Sequence, residues 1–189
     1  KPYTYILSVG TFGCNFKCGF CQNHSISQFA SENGLEGNFI AKEELVDTAI
    51  SIKNNIGIAF TYNEPGIWYE YVYDCAKLLK ERDSNASVVL VTNGYINEEP
   101  LKQLLPYTDA MNIDLKSFKN EYYKSICGGS LKPVLKTIET ASKYCHVEIT
   151  TLLVTGENDT LDEVEQIAEY LSSIKKDIPL HLTRYFPRY

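Results

Sequence analysis

A chain of 189 residues, 44% hydrophobic and 22% charged, has the make-up of one folded domain, which excludes disordered, collagen-like and multi-domain organisation. Its 18 basic against 24 acidic side chains give a formal charge of −6, so no overall attraction to phosphate backbones or anionic lipid follows; neither nucleic acid nor a membrane is an expected partner. The apolar runs, such as 88–91 and 152–154, are strand-sized and far short of the roughly 20 residues needed to span a bilayer. Lys1 stands where an initiator Met would, so residues 1–189 are read as one domain in a fragment or trimmed chain.

In chain order, residues 5–9 read as a strand, and residues 23–39 as a long loop over the active face. Residues 42–53 carry Leu45, Val46, Ala49 and Ile50 at helical spacing. Residues 56–61 read as strand. Trp68, Tyr71, Val72, Cys75, Ala76 and Leu79 then mark the clearest amphipathic helix. Residues 87–92 form a β-branched strand ended by Asn93-Gly94, followed by a short helix over 98–105 with Pro100 in its first turn. Strand 110–115, a helix marked by Val134, Leu135, Ile138, Ala141 and Cys145, and strand 147–154 come next. A helix marked by Leu161, Val164, Ile167, Ala168, Leu171 and Ile174 precedes strand 180–185. Such alternation with short connections gives an α/β fold of parallel strands and right-handed crossovers. About six βα units fit, fewer than the eight of a closed barrel, which takes roughly 250 residues. A partial barrel and an open doubly wound sheet are both compatible.

Functional residues of α/β folds gather at the carboxyl ends of strands. Here those ends carry a three-cysteine cluster, Asn63-Glu64-Pro65, Thr92-Asn93-Gly94, Asp114-Leu115-Lys116 and Arg184. Three of six cysteines, Cys14, Cys18 and Cys21, fall within eight positions, whereas Cys75, Cys127 and Cys145 are scattered. This is ligand spacing rather than a disulfide framework, and it points to a reducing compartment, the cytoplasm. At the chain's own cysteine frequency, two more at fixed offsets arise by chance roughly once in a thousand. Three thiolates can hold three corners of a cubane cluster and leave one iron open. Two alternatives use the same residues: a Cys3His zinc site with His24, and a dithiol from Cys18 and Cys21. Cys75 and Cys145 read as small core residues, and Cys127-Gly128-Gly129 as a flexible loop able to cover the site.

Gly13-Cys14-Asn15-Phe16-Lys17-Cys18-Gly19-Phe20-Cys21, with C-x3-C-x-aromatic-C after the first strand, resembles the radical S-adenosylmethionine enzymes over essentially the whole chain. The resemblance implies a partial (β/α)6 TIM-like barrel of parallel strands. It also implies a [4Fe–4S] cluster on Cys14, Cys18 and Cys21 whose open iron binds S-adenosyl-L-methionine. By the same resemblance, reductive cleavage yields methionine and a 5′-deoxyadenosyl radical that abstracts hydrogen, making this an oxidoreductase fed by a reductant such as flavodoxin or ferredoxin. The substrate would be a protein or a small molecule. Phe20 would lie near the adenine. Thr61-Tyr62-Asn63-Glu64-Pro65 stands where the family has Gly-Gly-Glu-Pro, so Glu64, with Asn63 in support, would receive the methionine ammonium, and Tyr62 would be a further cofactor-binding residue. Asp114 and Lys116 resemble a D-x-K element addressing the cofactor's polar tail, and Thr92 and Asn93 the third-strand motif. Residues 154–159 resemble the fifth-strand loop beside the adenine.

Pyruvate formate-lyase activating enzymes tend to have Asp, Arg and His where this chain has Val91, Thr150 and Phe186. Instead, residues 60–65 and 181–187 look like the radical enzyme of the AmmeMemoRadiSam system, with Arg184 taking over a cofactor contact and His181 a weaker candidate. The alternatives are a glycyl-radical enzyme activase and a non-catalytic zinc or iron–sulfur binding domain.

Overall fold

Each of the first five strands is followed by a helical crossover that returns the chain to the rim of the sheet where the strands begin. The computed structural model describes residues 3–28 and 37–187. Strands β1 (Tyr5–Val9), β2 (Asn55–Phe60), β3 (Ser87–Thr92), β4 (Ala110–Asp114), β5 (His146–Leu153) and β6 (Leu180–Arg184) pair in sequence order. Every pairing is parallel. The sheet does not close: β1 and β6 are its two edges, as a partial TIM-like barrel requires. Helices α1 (Lys42–Ser51), α2 (Tyr69–Arg82), α3 (Glu98–Leu104), α4 (Leu131–Ala141) and α5 (Leu161–Ile174) make the main crossovers. No helix among the described residues is long and apolar enough to cross a membrane.

Strand alternation divides the side chains between two faces. Val88 and Leu90, Met111 and Ile113, and Val147 and Ile149 are buried and join one apolar core with Val134 and Ile138 of α4 and Ile167 and Leu171 of α5. Their neighbours Val91, Asp114 and Thr150 look the other way, into a cavity at the carboxyl ends of the strands. One strand therefore supplies both the packing and the site.

Three local features depart from the periodic pattern. Trp68 ends a 3-10 turn, Pro65–Trp68, and α2 begins only at Tyr69. Glu64 caps that turn by accepting from Gly66 N at 2.9 Å, and Trp68 stacks on Tyr71 with ring centroids 5.4 Å apart. Helix α4 stops at Ala141, short of Cys145, because Lys143 N bonds to Thr140 O and tightens the chain into β5. Within the segment read as a long loop, His24–Ser27 is a short helix, and residues 29–36 lie outside the described residues.

Ile113 is fully buried at the centre of the sheet. Ile113→Ala is expected to lower the unfolding free energy in urea by about 2–5 kcal/mol, through lost apolar transfer and the cavity left behind. A loss under about 1 kcal/mol would mean that the site collapses freely.

Candidate active site

The strand ends open onto one cavity of about 320 Å³. Cys14, Cys18, Cys21 and Phe20 line it from the loop after β1, and Tyr62, Asn63 and Glu64 from that after β2. Thr92 and Asn93 contribute from β3, Asp114 and Lys116 from β4, Leu152 from β5 and Thr183 from β6. Polar side chains far apart in sequence thus line one cavity.

Glu64 ties the segment after β2 to the end of β3. It is 1% exposed, and its carboxylate accepts from Gly66 N at 2.9 Å, Thr92 Oγ1 at 2.7 Å and Asn93 N at 2.7 Å. Burial pushes its pKa up, against the three hydrogen bonds that favour the charged form. The chain approaches β1 closely beside it: a Cβ on Gly10 would lie 2.0 Å from Tyr62 O, so only glycine fits there. Asn63 Nδ2 donates to Thr11 O, while Asn63 Oδ1 is buried with no hydrogen-bond partner among the described residues.

The cysteine loop is held through Asn15. Asn15 Nδ2 donates to Tyr95 O at 2.8 Å, and Asn15 Oδ1 accepts from Asn93 Nδ2 at 2.7 Å. Cys14 Sγ accepts from Phe16 N at 3.4 Å and lies 3.6 Å from Asn93 Nδ2; burial pushes this thiol's pKa up. Cys18 is moved the other way. A hydrogen bond with Cys127 holds its pKa below the usual thiol range, with Lys116 adding to the effect and burial opposing it. Cys21 Sγ sits 3.0 Å from Ser27 Oγ.

In the same lining, Lys116 Nζ meets Asp114 Oδ2 at 2.6 Å. Burial disfavours this ammonium, but Asp114 and the nearby Cys18 outweigh it and hold its pKa up. The backbone of Lys116 is fixed on both sides: its N donates to Tyr123 Oη at 3.0 Å, and its O accepts from Asn158 Nδ2 at 2.6 Å. Asn158 also bonds Leu152 O and Val154 N, which locks the end of β5 to the Asp114–Lys116 segment. Beyond it, Glu163, 1% exposed, accepts from Ser117 Oγ, Phe118 N and Lys119 Nζ.

Asn15, Tyr123, Asn158 and Glu163 were not apparent as site supports in the sequence. Thr160 and Glu163 have capping-box spacing, and Thr160 does accept from Glu163 N. The glutamate side chain, however, turns to the 117–119 loop, a partner 46 positions away that no local pattern reports.

Two expectations are corrected. Arg184 does not reach the cavity. In the β5–β6 register Thr183 pairs with Leu152 and both line it, so Arg184, next along the strand, projects from the opposite face, its guanidinium 5.9 Å from the Phe186 ring. Nor is Cys127-Gly128-Gly129 a cover. Cys127 ends a π-helical turn, Tyr123–Cys127, and is fully buried because its carbonyl accepts from Lys17 N at 2.8 Å. His181 shares a face with Thr183 but bonds Glu148 at 2.9 Å instead of lining the cavity, and His24 is likewise absent from the lining.

Residues 8–171 match the family model of the Radical SAM superfamily. The chain belongs to the radical SAM superfamily. It is 40% identical over 190 residues to an uncharacterized protein of Methanocaldococcus jannaschii, covering 100% of this chain and 55% of that one. It is 24% identical over 176 residues to the pyruvate formate-lyase-activating enzyme of Clostridium pasteurianum, covering 92% and 72%. Among solved structures, Streptococcus suis SuiB bound to S-adenosylmethionine has the same fold, with a TM-score of 0.68 at 13% identity, over 97% of this chain and 42% of that one. The chain spans little more than half the length of several curated relatives.

The radical SAM family implies a [4Fe–4S] cluster and S-adenosylmethionine, and the residues fit both. Three free thiols line the cavity together, and no three His, Cys, Asp or Glu side chains among the described residues, these thiols included, converge as the ligands of a single ion would. A buried acceptor without a partner among the described residues, Asn63 Oδ1, belongs to the same cavity lining as the Glu64 carboxylate, an acceptor pair suited to a ligand's ammonium.

Burial pushes Glu163 up in pKa, but Lys119, Ser117 and Phe118 outweigh it and leave the carboxyl below its usual value. A lowered folded pKa gives stability that is present above the unfolded value of about 4.3 and is lost as pH falls through the folded one. Glu163→Gln is therefore expected to lower stability by about 1–3 kcal/mol at neutral pH, with the gap to wild type closing in acid. Thermal unfolding from pH 7 to pH 3 measures this; a pH-independent gap would remove the charge from the explanation.

Proposed function

We propose that the chain is the catalytic core of a [4Fe–4S] enzyme that reductively cleaves S-adenosylmethionine and uses the resulting radical on a substrate of its own, in the manner of the AmmeMemoRadiSam radical enzyme. The observation that carries this reading is the shared lining: Cys14, Cys18 and Cys21 face one cavity together with Glu64, Asp114 and Lys116. When bound, the reduced cluster supplies the electron that breaks the sulfonium into methionine and a 5′-deoxyadenosyl radical.

The chain's own residues bind and orient. Cys14, Cys18 and Cys21 hold three irons, leaving the fourth to the methionine moiety. Asn63 Oδ1 and Glu64 take the ammonium: a cation beside Glu64 supplies the opposite charge that this buried carboxylate lacks. Lys116 is the cation for the methionine carboxylate, and Asp114 holds its ammonium in place. Phe20 and Tyr62 offer ring faces to the adenine, while Thr92 and Asn93 fix Glu64 and Asn15. Arg184 takes no part. The reductant would be a flavodoxin or ferredoxin, the compartment the cytoplasm, and the substrate a protein or small molecule entering through the gap between β1 and β6.

A second reading, activation of a glycyl-radical enzyme, is favoured by the Clostridium pasteurianum relative. Against it, Val91 and Thr150 line the cavity where activases tend to carry Asp and Arg.

The test is anaerobic reconstitution with iron and sulfide, reduction, addition of S-adenosylmethionine and quantification of 5′-deoxyadenosine. Wild type is expected to produce it and Cys18→Ala to lose at least ten-fold, about 1.4 kcal/mol of barrier or more. A well-reduced cluster that makes none would sink the proposal. In the same assay Lys116→Met is expected to raise the S-adenosylmethionine concentration giving half-maximal rate, since a cation for its carboxylate is gone; an unchanged value would remove Lys116 from cofactor binding.

A further inference from the structure

The turn after β3 meets the cysteine loop through two asparagine side chains, and Tyr95 settles which way both amides face. Tyr95 N donates to Asn93 Oδ1 at 2.8 Å, Asn93 Nδ2 to Asn15 Oδ1 at 2.7 Å, and Asn15 Nδ2 to Tyr95 O at 2.8 Å. Turning either amide over would set donor against donor and acceptor against acceptor, so this closed ring of three bonds fixes Nδ2 of Asn93 toward the cysteine loop. An amide nitrogen carries two hydrogens. Asn15 takes one, and Cys14 Sγ, 3.6 Å from the same nitrogen, accepts the other. The turn itself is held in place: Asn93 N donates to Glu64 Oε2 at 2.7 Å and Gly94 N to Thr92 Oγ1 at 3.1 Å. Gly94 sits at φ 70°, where a Cβ would come within 2.8 Å of Ile113. One buried residue, Asn93, therefore touches Glu64 through its backbone and Cys14 through its side chain.

We infer that Asn93 is a positioning residue that tunes the cluster: its N–H···S hydrogen bond to the Cys14 ligand sulfur raises the reduction potential. The inference rests on the cluster reading given above. Bound to iron, the Cys14 sulfur carries no proton and can only accept, which suits it to both the Asn93 amide and the Phe16 backbone N–H at 3.4 Å. Reduction adds negative charge that spreads onto the ligand sulfurs, and a donor aimed at one of them stabilises the reduced state more than the oxidised one. The Phe16 bond is made by the backbone of the cysteine loop itself. The Asn93 bond comes from a side chain 79 positions away, so a substitution can remove it alone.

The experiment compares wild type, Asn93→Ala, Asn93→Asp and Asn15→Ala after anaerobic reconstitution, reading iron per chain and the cluster midpoint potential by spectroscopically monitored redox titration without S-adenosylmethionine. Equal iron in all four is expected. Asn93→Ala removes the donor and is expected to make the midpoint more negative. Asn93→Asp keeps the acceptor for Tyr95 N but sets a carboxylate oxygen where the donor was, and is expected to lower the midpoint further. Asn15→Ala frees the cysteine loop from the ring while Tyr95 still holds Asn93, and its midpoint is expected to stay at the wild-type value. An unchanged alanine midpoint at position 93 would overturn the inference, even with aspartate lowered, which is then an effect of charge alone. A shift in Asn15→Ala as large as that in Asn93→Ala would overturn it too, since loosening the loop would then suffice. Loss of iron from the Asn93 variants would make the residue a support for cluster assembly and overturn the tuning role equally. If Asn93→Ala does not fold, Asn93→Asp decides, a midpoint at or above wild type being the adverse result. A wild-type chain that takes up no cluster would instead overturn the functional reading, and this inference with it.

Discussion

The whole arrangement depends on the strands being parallel. A parallel ladder needs a crossover after every strand, so each strand must start at one rim of the sheet and finish at the other. All the carboxyl ends then fall on the same side, where loops of different origin meet around one cavity. The helices that make the crossovers also cover the outer face, which gives Ile113, Ile149 and their neighbours somewhere to bury. Packing and site are two consequences of one hydrogen-bonding pattern.

Within that frame, charge is kept in the cavity by hydrogen bonds instead of by water. Glu64 is buried and carries three donors from two segments; Lys116 is held against Asp114 and pinned through its backbone by Tyr123 and Asn158. A buried carboxylate or ammonium without such partners would be neutralised by a pKa shift. The supports lie one layer behind the residues they hold, and several come from the opposite half of the chain. Asn158 and Glu163 act on the β4 loop from the start of α5, and Cys127 acts on the cysteine loop from beyond β4.

The strands and helices could be read along the chain because each leaves a local record: alternation of two for a half-buried strand, spacing of three and four for a helix. The C-x3-C-x2-C cluster could be read for a similar reason, as its ligands are neighbours on one loop. Trp68 shows where that legibility ends. It fits the apolar stripe of α2, but the proline three residues before it and the Glu64 cap favour a 3-10 turn, and the helix starts one residue later. Arg184 shows the same limit at a site residue: standing at a strand end was visible, but which face it takes depends on register against β5.

By itself, then, the sequence determined the α/β alternation, the order of the elements, the three thiols and most of the strand-end polar residues, all properties set within a few positions of chain. Tertiary structure alone decided that Arg184 points away, that Cys127 is buried in the core against the cysteine loop and not laid over the cavity, and that Glu163 serves a loop 46 positions distant. The physical reason is common to the three. Strand register and long-range hydrogen bonds are set by the balance of burial across the whole domain, and that balance has no period for a linear pattern to carry.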